Sequence, residues 1–230
     1  MKNSKALFQE LVDKITIREE IEEINSIVFI VLENMFGVTK TDIMAGKSIA
    51  VKPDHFSELE KAVQRINNYE PVQYVIGEAY FYGRNFCVSP SVLIPRPETE
   101  VVIRAVLSWR REFHRRGGAE VPRILDIGTG SGCIPITLKL EWPGTEVFAT
   151  DISVLALAVA TKNATMHNVD VTFLEHDILV EDIPVDACDV IVSNPPYVRR
   201  SESSLMQENV LEYEPHSALF VSDDDPLVFY

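Results

Sequence analysis

Four short apolar runs dominate the second half of the chain and leave little choice of fold. They lie at 124–127, 146–150, 171–174 and 189–193, and stretches of helical period separate the first three, at 132 to about 140 and at 153–167. Strands that alternate with helices cannot pair as hairpins, because each helix returns the chain to the starting end of the sheet. The alternation therefore predicts an α/β domain, an open parallel sheet of Rossmann-like type with helices on its faces. In such a sheet the ends of all strands that carry ligand groups fall on one edge, the carboxyl edge.

The first 70 residues read differently. Thr16-Ile17-Arg18-Glu19 has the spacing of a capping box, and Ile21, Ile24, Ile27, Val28, Val31, Leu32 and Met35 follow at helical intervals up to a natural stop at Gly37. A short helix is expected over 40–45, and Pro53 opens another with Phe56, Leu59, Val63 and Ile66 on one face. Nothing in this part has catalytic spacing. From Pro71 to Gly77 the pattern suggests one helical turn, and the aromatic run 80–88, with Gly83 near its bend, suggests a hairpin. After Pro95-Arg96-Pro97-Glu98-Thr99-Glu100 comes a helix with Val101, Val102, Ala105, Val106 and Trp109 on its apolar face. Arg110, Arg111, Arg115 and Arg116 stand toward its end as a solvated cationic cap or a contact for an acidic partner. The expected division is a small helical domain over 1–70, a hairpin connector over 71–95 and the Rossmann-like domain over 96–230.

Composition removes several function classes. The net charge of −14 argues against nonspecific binding to nucleic acid, which depends on neutralising phosphates, and leaves a basic protein partner open. Cys87, Cys133 and Cys188 are far apart among apolar neighbours, so they read as core thiols, with no disulfide framework and no metal site. The N-terminus has no apolar signal core, and the run from Ile27 to Leu32 is far too short to cross a membrane. A reducing cytoplasm is the expected location.

Two features mark the carboxyl edge. The first is Asp126-Ile127-Gly128-Thr129-Gly130-Ser131-Gly132, which follows a strand and opens a helix. Its glycines permit a tight turn and close approach of a ligand. The spacing is not that of a dinucleotide fingerprint, and Cys133 stands where a third glycine would. An acid at Asp126 repels a pyrophosphate and suits a ligand with positive charge. Asp151 ends the second strand, where a carboxylate can accept from two ribose hydroxyls or cap the next helix, a role open to Ser153 instead. Asp177 and Ile178, just past the third strand, would flank an adenine or form a turn.

The second feature is Asn194-Pro195-Pro196-Tyr197 behind the fourth strand. Proline cannot donate to a ladder, so the strand ends here in a stiff corner. A carboxamide nitrogen is a poor nucleophile because its lone pair is delocalised. Two acceptors, the Asn194 side-chain oxygen and the Pro195 carbonyl, can hold both its hydrogens and aim its face at an electrophilic methyl group. Tyr197 can stack on the flat group. An exocyclic adenine amine is also planar and conjugated, so the corner alone does not choose between the two.

With these stretches, with Val92-Leu93-Ile94-Pro95-Arg96-Pro97-Glu98-Thr99-Glu100 and with Tyr213-Glu214-Pro215-His216-Ser217-Ala218-Leu219, the chain resembles Class I S-adenosylmethionine-dependent methyltransferases. Within that class it resembles the peptide chain release factor glutamine N5-methyltransferase family. The resemblance implies S-adenosyl-L-methionine as cofactor, held by Gly128, Thr129, Gly130, Ser131, Gly132, Asp151, Asp177, Ile178 and Asn194. It implies that Asn194, Pro195, Pro196 and Tyr197 bind the glutamine side chain of a Gly-Gly-Gln loop in a peptide chain release factor. Asn194, Pro195 and Tyr197 are then the catalytic set, no metal is needed, and the helical domain helps dock the release factor. Members of the family carry three further strands past the position of Tyr230, so the sheet is expected to be C-terminally truncated and to lack its usual last strands. Two rival readings stand beside this one, an adenine N6 methyltransferase of DNA or RNA and a noncatalytic binding module.

Overall fold

The structure is a computed structural model and describes residues 1–117 and 121–230. It divides into two compact units, Met1–Ile76 and Gly77–Tyr230.

The first unit is built from helices. A two-residue strand β1 (Lys2–Asn3) leads into α1 (Ser4–Lys14), whose first turn is capped by the Asn3 side chain accepting from the Ala6 N–H at 3.0 Å. Then follow α2 (Ile21–Phe36), α3 (Lys40–Met44), β2 (Ser48–Ile49), α4 (Pro53–Asn67) and α5 (Val72–Ile76), with β2 pairing antiparallel to β1. Gly37 ends α2 in the left-handed conformation, φ 61°, and its N–H returns to the Glu33 carbonyl. Leu7, Leu11, Val28, Leu32, Ile43, Leu59 and Ile66 meet in one apolar core.

The capping box expected at Thr16 does not form. The helix starts five residues later at Ile21, because the Thr16 and Arg18 N–H groups are taken by the Asn67 side chain at 2.8 Å and the Tyr69 hydroxyl at 3.1 Å. A capping box does form at Thr39 and Asp42, at the start of α3.

The second unit opens with a hairpin, β3 (Glu78–Phe81) and β4 (Arg84–Cys87). Tyr82 and Gly83 both have positive φ, 47° and 79°, as a two-residue turn between right-twisted strands requires. The hairpin packs with the sheet. Phe81 and Phe86 are buried in the sheet unit's core. Cys87 exchanges hydrogen bonds with the buried Asn163, its N–H donating at 2.7 Å and its carbonyl accepting at 2.9 Å. The boundary between the two units falls at 76/77, with the turn 72–76 on the helical side and the hairpin on the sheet side.

After a 3₁₀ turn at Pro97–Thr99 the chain runs through α6 (Glu100–Arg115), β5 (Arg123–Ile127), α7 (Cys133–Glu141), β6 (Glu146–Asp151), α8 (Val154–Met166), β7 (Thr172–Glu175) and β8 (Val190–Ser193). The strands form one sheet in the order β7-β6-β5-β8, every pair parallel. This is the Rossmann-like α/β sheet that the alternation predicts. Chain order runs outward from β5 through β6 to β7, then crosses back to β8 on the other side. The crevice between the ends of β5 and β8 is therefore the switch point where such sheets bind ligands. Beyond β8 lie β9 (Val198–Arg199), α9 (Glu208–Tyr213) and β10 (Phe220–Val221), and β9 pairs parallel with β10. β8 is an outer strand of the sheet, and Ile191 on it is 54% exposed.

Candidate active site

A cavity of about 290 Å³ opens at the carboxyl edge of the sheet, walled by the ends of β5, β6, β7 and β8 and by residues of the segments 91–99 and 215–218. The glycine loop forms its floor. The Gly128 and Thr129 N–H groups both donate to the Thr150 carbonyl at 2.9 Å, which ties the loop to the end of β6. Gly128 and Gly130 have φ of 72° and 55°, and a Cβ added to either would meet nothing within 4 Å. Both therefore leave room beside the main chain where a ligand can approach. Gly132 serves a different purpose. It lies outside the cavity wall, and a Cβ there would come within 3.0 Å of Ala160 and Ile136, so its missing side chain lets α7 and α8 pack.

The four acidic and apolar positions expected on the neighbouring strands are reached as follows. Asp151 is in the wall, with one oxygen accepting from the Gly130 N–H at 2.8 Å and the other from the Ser153 N–H at 2.9 Å. Ser153 caps α8 through the Ala156 N–H, so Asp151 is not needed for that task. Asp177 and Ile178 are both in the wall, and an Asp177 oxygen accepts from the Leu179 N–H at 3.0 Å. Asp126, read from the sequence as a partner for a positive ligand, is outside the wall. It is fully buried behind the loop, and neither carboxylate oxygen has a hydrogen-bond partner among the described residues. Burial raises its pKa from 3.8 to about 7 and the nearby Asp151 charge adds to this, while the Thr129 side chain opposes it without closing a hydrogen bond.

At the other side of the glycine loop, Asn194, Pro195 and Pro196 form the wall after β8. The Asn194 amide nitrogen donates to the Thr99 hydroxyl at 3.4 Å. Its side-chain oxygen and the Pro195 carbonyl accept no hydrogen bond among the described residues. Tyr197 does not join them: its side chain is 64% exposed and lies outside the cavity wall. Residue spacing put it at the corner, but the chain leaves β8 toward β9 there and turns the ring to solvent.

Two residues of this wall, and one buried behind it, are not marked by residue chemistry alone. Thr99 is buried and braces Asn194. Arg96 is in the wall and pairs with Glu214, whose side chain is 1% exposed. Their only signal in the sequence is that they sit inside the Val92–Glu100 and Tyr213–Leu219 stretches that carry the family resemblance. Sequence separations of 95 and 118 residues hide both contacts from local spacing.

The wall suits a nucleoside that bears positive charge. Its carboxylates, Asp151 and Asp177, stand beside the apolar Ile152 and Ile178, and its one arginine is already neutralised by Glu214. A pyrophosphate would meet two carboxylates and no free cation. No group of histidine, cysteine, aspartate and glutamate able to hold a metal occurs among the described residues.

Comparison with known proteins bears on the fold and the family. Residues 114–215 match the family described as methyltransferase small domain, and residues 7–77 match the PrmC N-terminal domain. The fold is that of a Rossmann-like methyltransferase. The chain is 42% identical over 209 residues to a release factor glutamine methyltransferase of Flavobacterium psychrophilum, covering 91% of this chain and 72% of that protein. It is 44% identical over 210 residues to the one of Bacteroides thetaiotaomicron, covering 91% and 73%, and 40% identical over 196 residues to the one of Bacillus subtilis, covering 84% and 67%. The chain belongs to the release factor glutamine methyltransferase family.

Proposed function

We propose that this protein methylates the side-chain amide nitrogen of the glutamine in the Gly-Gly-Gln loop of peptide chain release factors, with S-adenosyl-L-methionine as methyl donor. The donor supplies a methyl group carried on a positively charged sulfur. On this reading Gly128 and Gly130 let it lie against the loop, Asp151 accepts from its ribose hydroxyls, and Asp177 and Ile178 flank its adenine. Ser131 and Thr129 complete the floor.

The observation that carries the acceptor half is the state of Asn194. Its amide nitrogen is engaged by Thr99, and its oxygen, in the cavity wall, has no partner among the described residues. That oxygen and the Pro195 carbonyl take the two hydrogens of the glutamine amide. Held in this way, the nitrogen presents its face to the methyl group, and the two carbonyl dipoles stabilise the positive charge that develops on it. The proton leaves after transfer, so no base of shifted pKa is required beforehand. Pro195 and Pro196 keep the corner rigid, which lowers the entropy lost on binding. Tyr197, exposed beside the corner, covers the acceptor from outside once it is bound.

The test is to incubate the chain with S-adenosylmethionine and a release factor, and in parallel with duplex DNA, then measure mass increments by mass spectrometry. A single methyl on the glutamine-bearing peptide is expected. Methylated adenine with an untouched release factor would overturn the proposal in favour of the nucleic-acid enzyme. Calorimetric binding of S-adenosylmethionine without any methyl increment would leave a binding module.

A further inference from the structure

Arg96 stands in the cavity wall between two prolines, Pro95 and Pro97, in extended backbone. It is the only lysine or arginine in that wall among the described residues. One of its terminal nitrogens donates to the Glu214 carboxylate at 2.5 Å. The second Glu214 oxygen accepts from the Ile94 N–H at 3.3 Å, and the carboxylate is almost wholly buried. Glu214 thus grips the same short segment twice. The remaining N–H groups of Arg96 meet no partner among the described residues, and its side chain is 37% exposed. Three residues further on, Thr99 bonds to Asn194. Across the sheet edge the order is therefore Asp177, Asp151, the glycine loop and Asn194, with Arg96 joined to the Asn194 end.

From this we infer that Arg96 recognises the acceptor polypeptide, donating its free N–H groups to main-chain carbonyls that flank the target glutamine, and that Glu214 is the positioning residue that aims it. The inference rests on the proposed glutamine acceptor. Glycine neighbours offer no side chain to read, so recognition next to the glutamine falls to main-chain donors and acceptors. A guanidinium is a rigid fork of donors suited to carbonyl and carboxylate oxygens. Here its charge is already balanced by Glu214, which favours a neutral carbonyl over a second carboxylate. The flanking prolines and the buried carboxylate fix the fork before the partner arrives, so little entropy is lost on contact.

Steady-state methylation of a release factor at saturating S-adenosylmethionine tests this, with cofactor Kd measured separately by calorimetry. Arg96→Ala is expected to raise the release-factor KM roughly tenfold or more, with kcat less affected and cofactor Kd within about twofold of wild type. Arg96→Lys should restore only part of the loss, because the charge returns without the fork. Glu214→Gln should raise the same KM, and the double variant should be no worse than Arg96→Ala alone, as expected when one residue acts through the other. If Glu214→Gln does not fold, the two Arg96 variants decide. An unchanged release-factor KM in Arg96→Ala, with wild type active, overturns this inference and leaves the proposed function standing. A loss of cofactor affinity equal to the loss in KM overturns it as well, by assigning Arg96 to the donor. A wild-type chain that binds S-adenosylmethionine but leaves release factor unmethylated overturns the proposed function and this inference together.

Discussion

In the helical unit the buried residues are almost all apolar, and the one fully buried polar side chain, Ser4, donates its hydroxyl to the Asp42 carbonyl at 3.3 Å. The sheet unit buries Asp126, Thr129, Thr137, Thr150 and His176 with at least one side-chain atom lacking a partner among the described residues. Asp126 and Thr150 stand at the ends of β5 and β6, and Thr129 lies in the loop between β5 and α7. Helices satisfy their own backbone and can be packed by apolar side chains alone. Of those sheet-unit residues, Thr129 and His176 line the ligand-binding edge and Asp126, Thr137 and Thr150 lie outside its wall, and each atom left unpaired in the interior costs stability. The difference separates a part of the chain organised for packing from a part organised for chemistry.

The largest effect that would sharpen this contrast is Leu32→Ala in the middle of α2. Leu32 is 0% exposed, so the change should cost about 2–5 kcal/mol in urea unfolding while the cofactor Kd stays as in wild type. A matching loss of cofactor affinity would break the contrast. Asn194→Ala should do the reverse. Methyl transfer is expected to fall on the order of a hundredfold, with the melting temperature and cofactor Kd nearly unchanged, since only one long hydrogen bond is lost from the folded chain. Wild-type turnover in that variant removes Asn194 from the acceptor site.

Asp126 supplies a pH test. Its folded pKa is raised to about 7 from 3.8. Between those values the native state keeps a proton that the unfolded chain has lost, so this group's contribution makes stability fall as pH rises from about 4 to about 7, and level off above. Asp126→Asn should remove that slope and make the protein more stable than wild type by about 1–3 kcal/mol at pH 8, read from melts at pH 5 and pH 8. An unchanged slope would show that the buried carboxyl is not a source of instability. The smallest effect belongs to the helical unit. Thr39→Ala breaks the capping box at the start of α3 and should cost about 1 kcal/mol, with methyl transfer untouched.

Much of the sheet unit was legible in advance because its signals are local. Runs such as 124–127 and 146–150 are apolar and β-prone, and the helical stretches between the first three strands exclude hairpin pairing. The glycine loop and the diproline corner punctuate the strands where they end. The capping-box spacing at Thr16 does not produce a cap because its backbone donors are claimed by Asn67 and Tyr69, more than fifty residues away. The hairpin was legible as a hairpin, but its allegiance was not. Asn163 holds it to the sheet unit, and that residue looks like any polar position on a helix until the fold closes. Residues proposed for the cofactor likewise divided only in three dimensions, Gly128 and Gly130 in the cavity wall and Gly132 between two helices.

The order of helices and strands and the chemistry gathered at one sheet edge were determined by the sequence itself, because periodicity and turn residues act over a few positions. Which polar groups stay unpaired, where Tyr197 turns, and how Glu214 reaches Arg96 were decided only by tertiary structure. Those outcomes depend on burial and on contacts between segments about a hundred residues apart, and no local pattern carries that information.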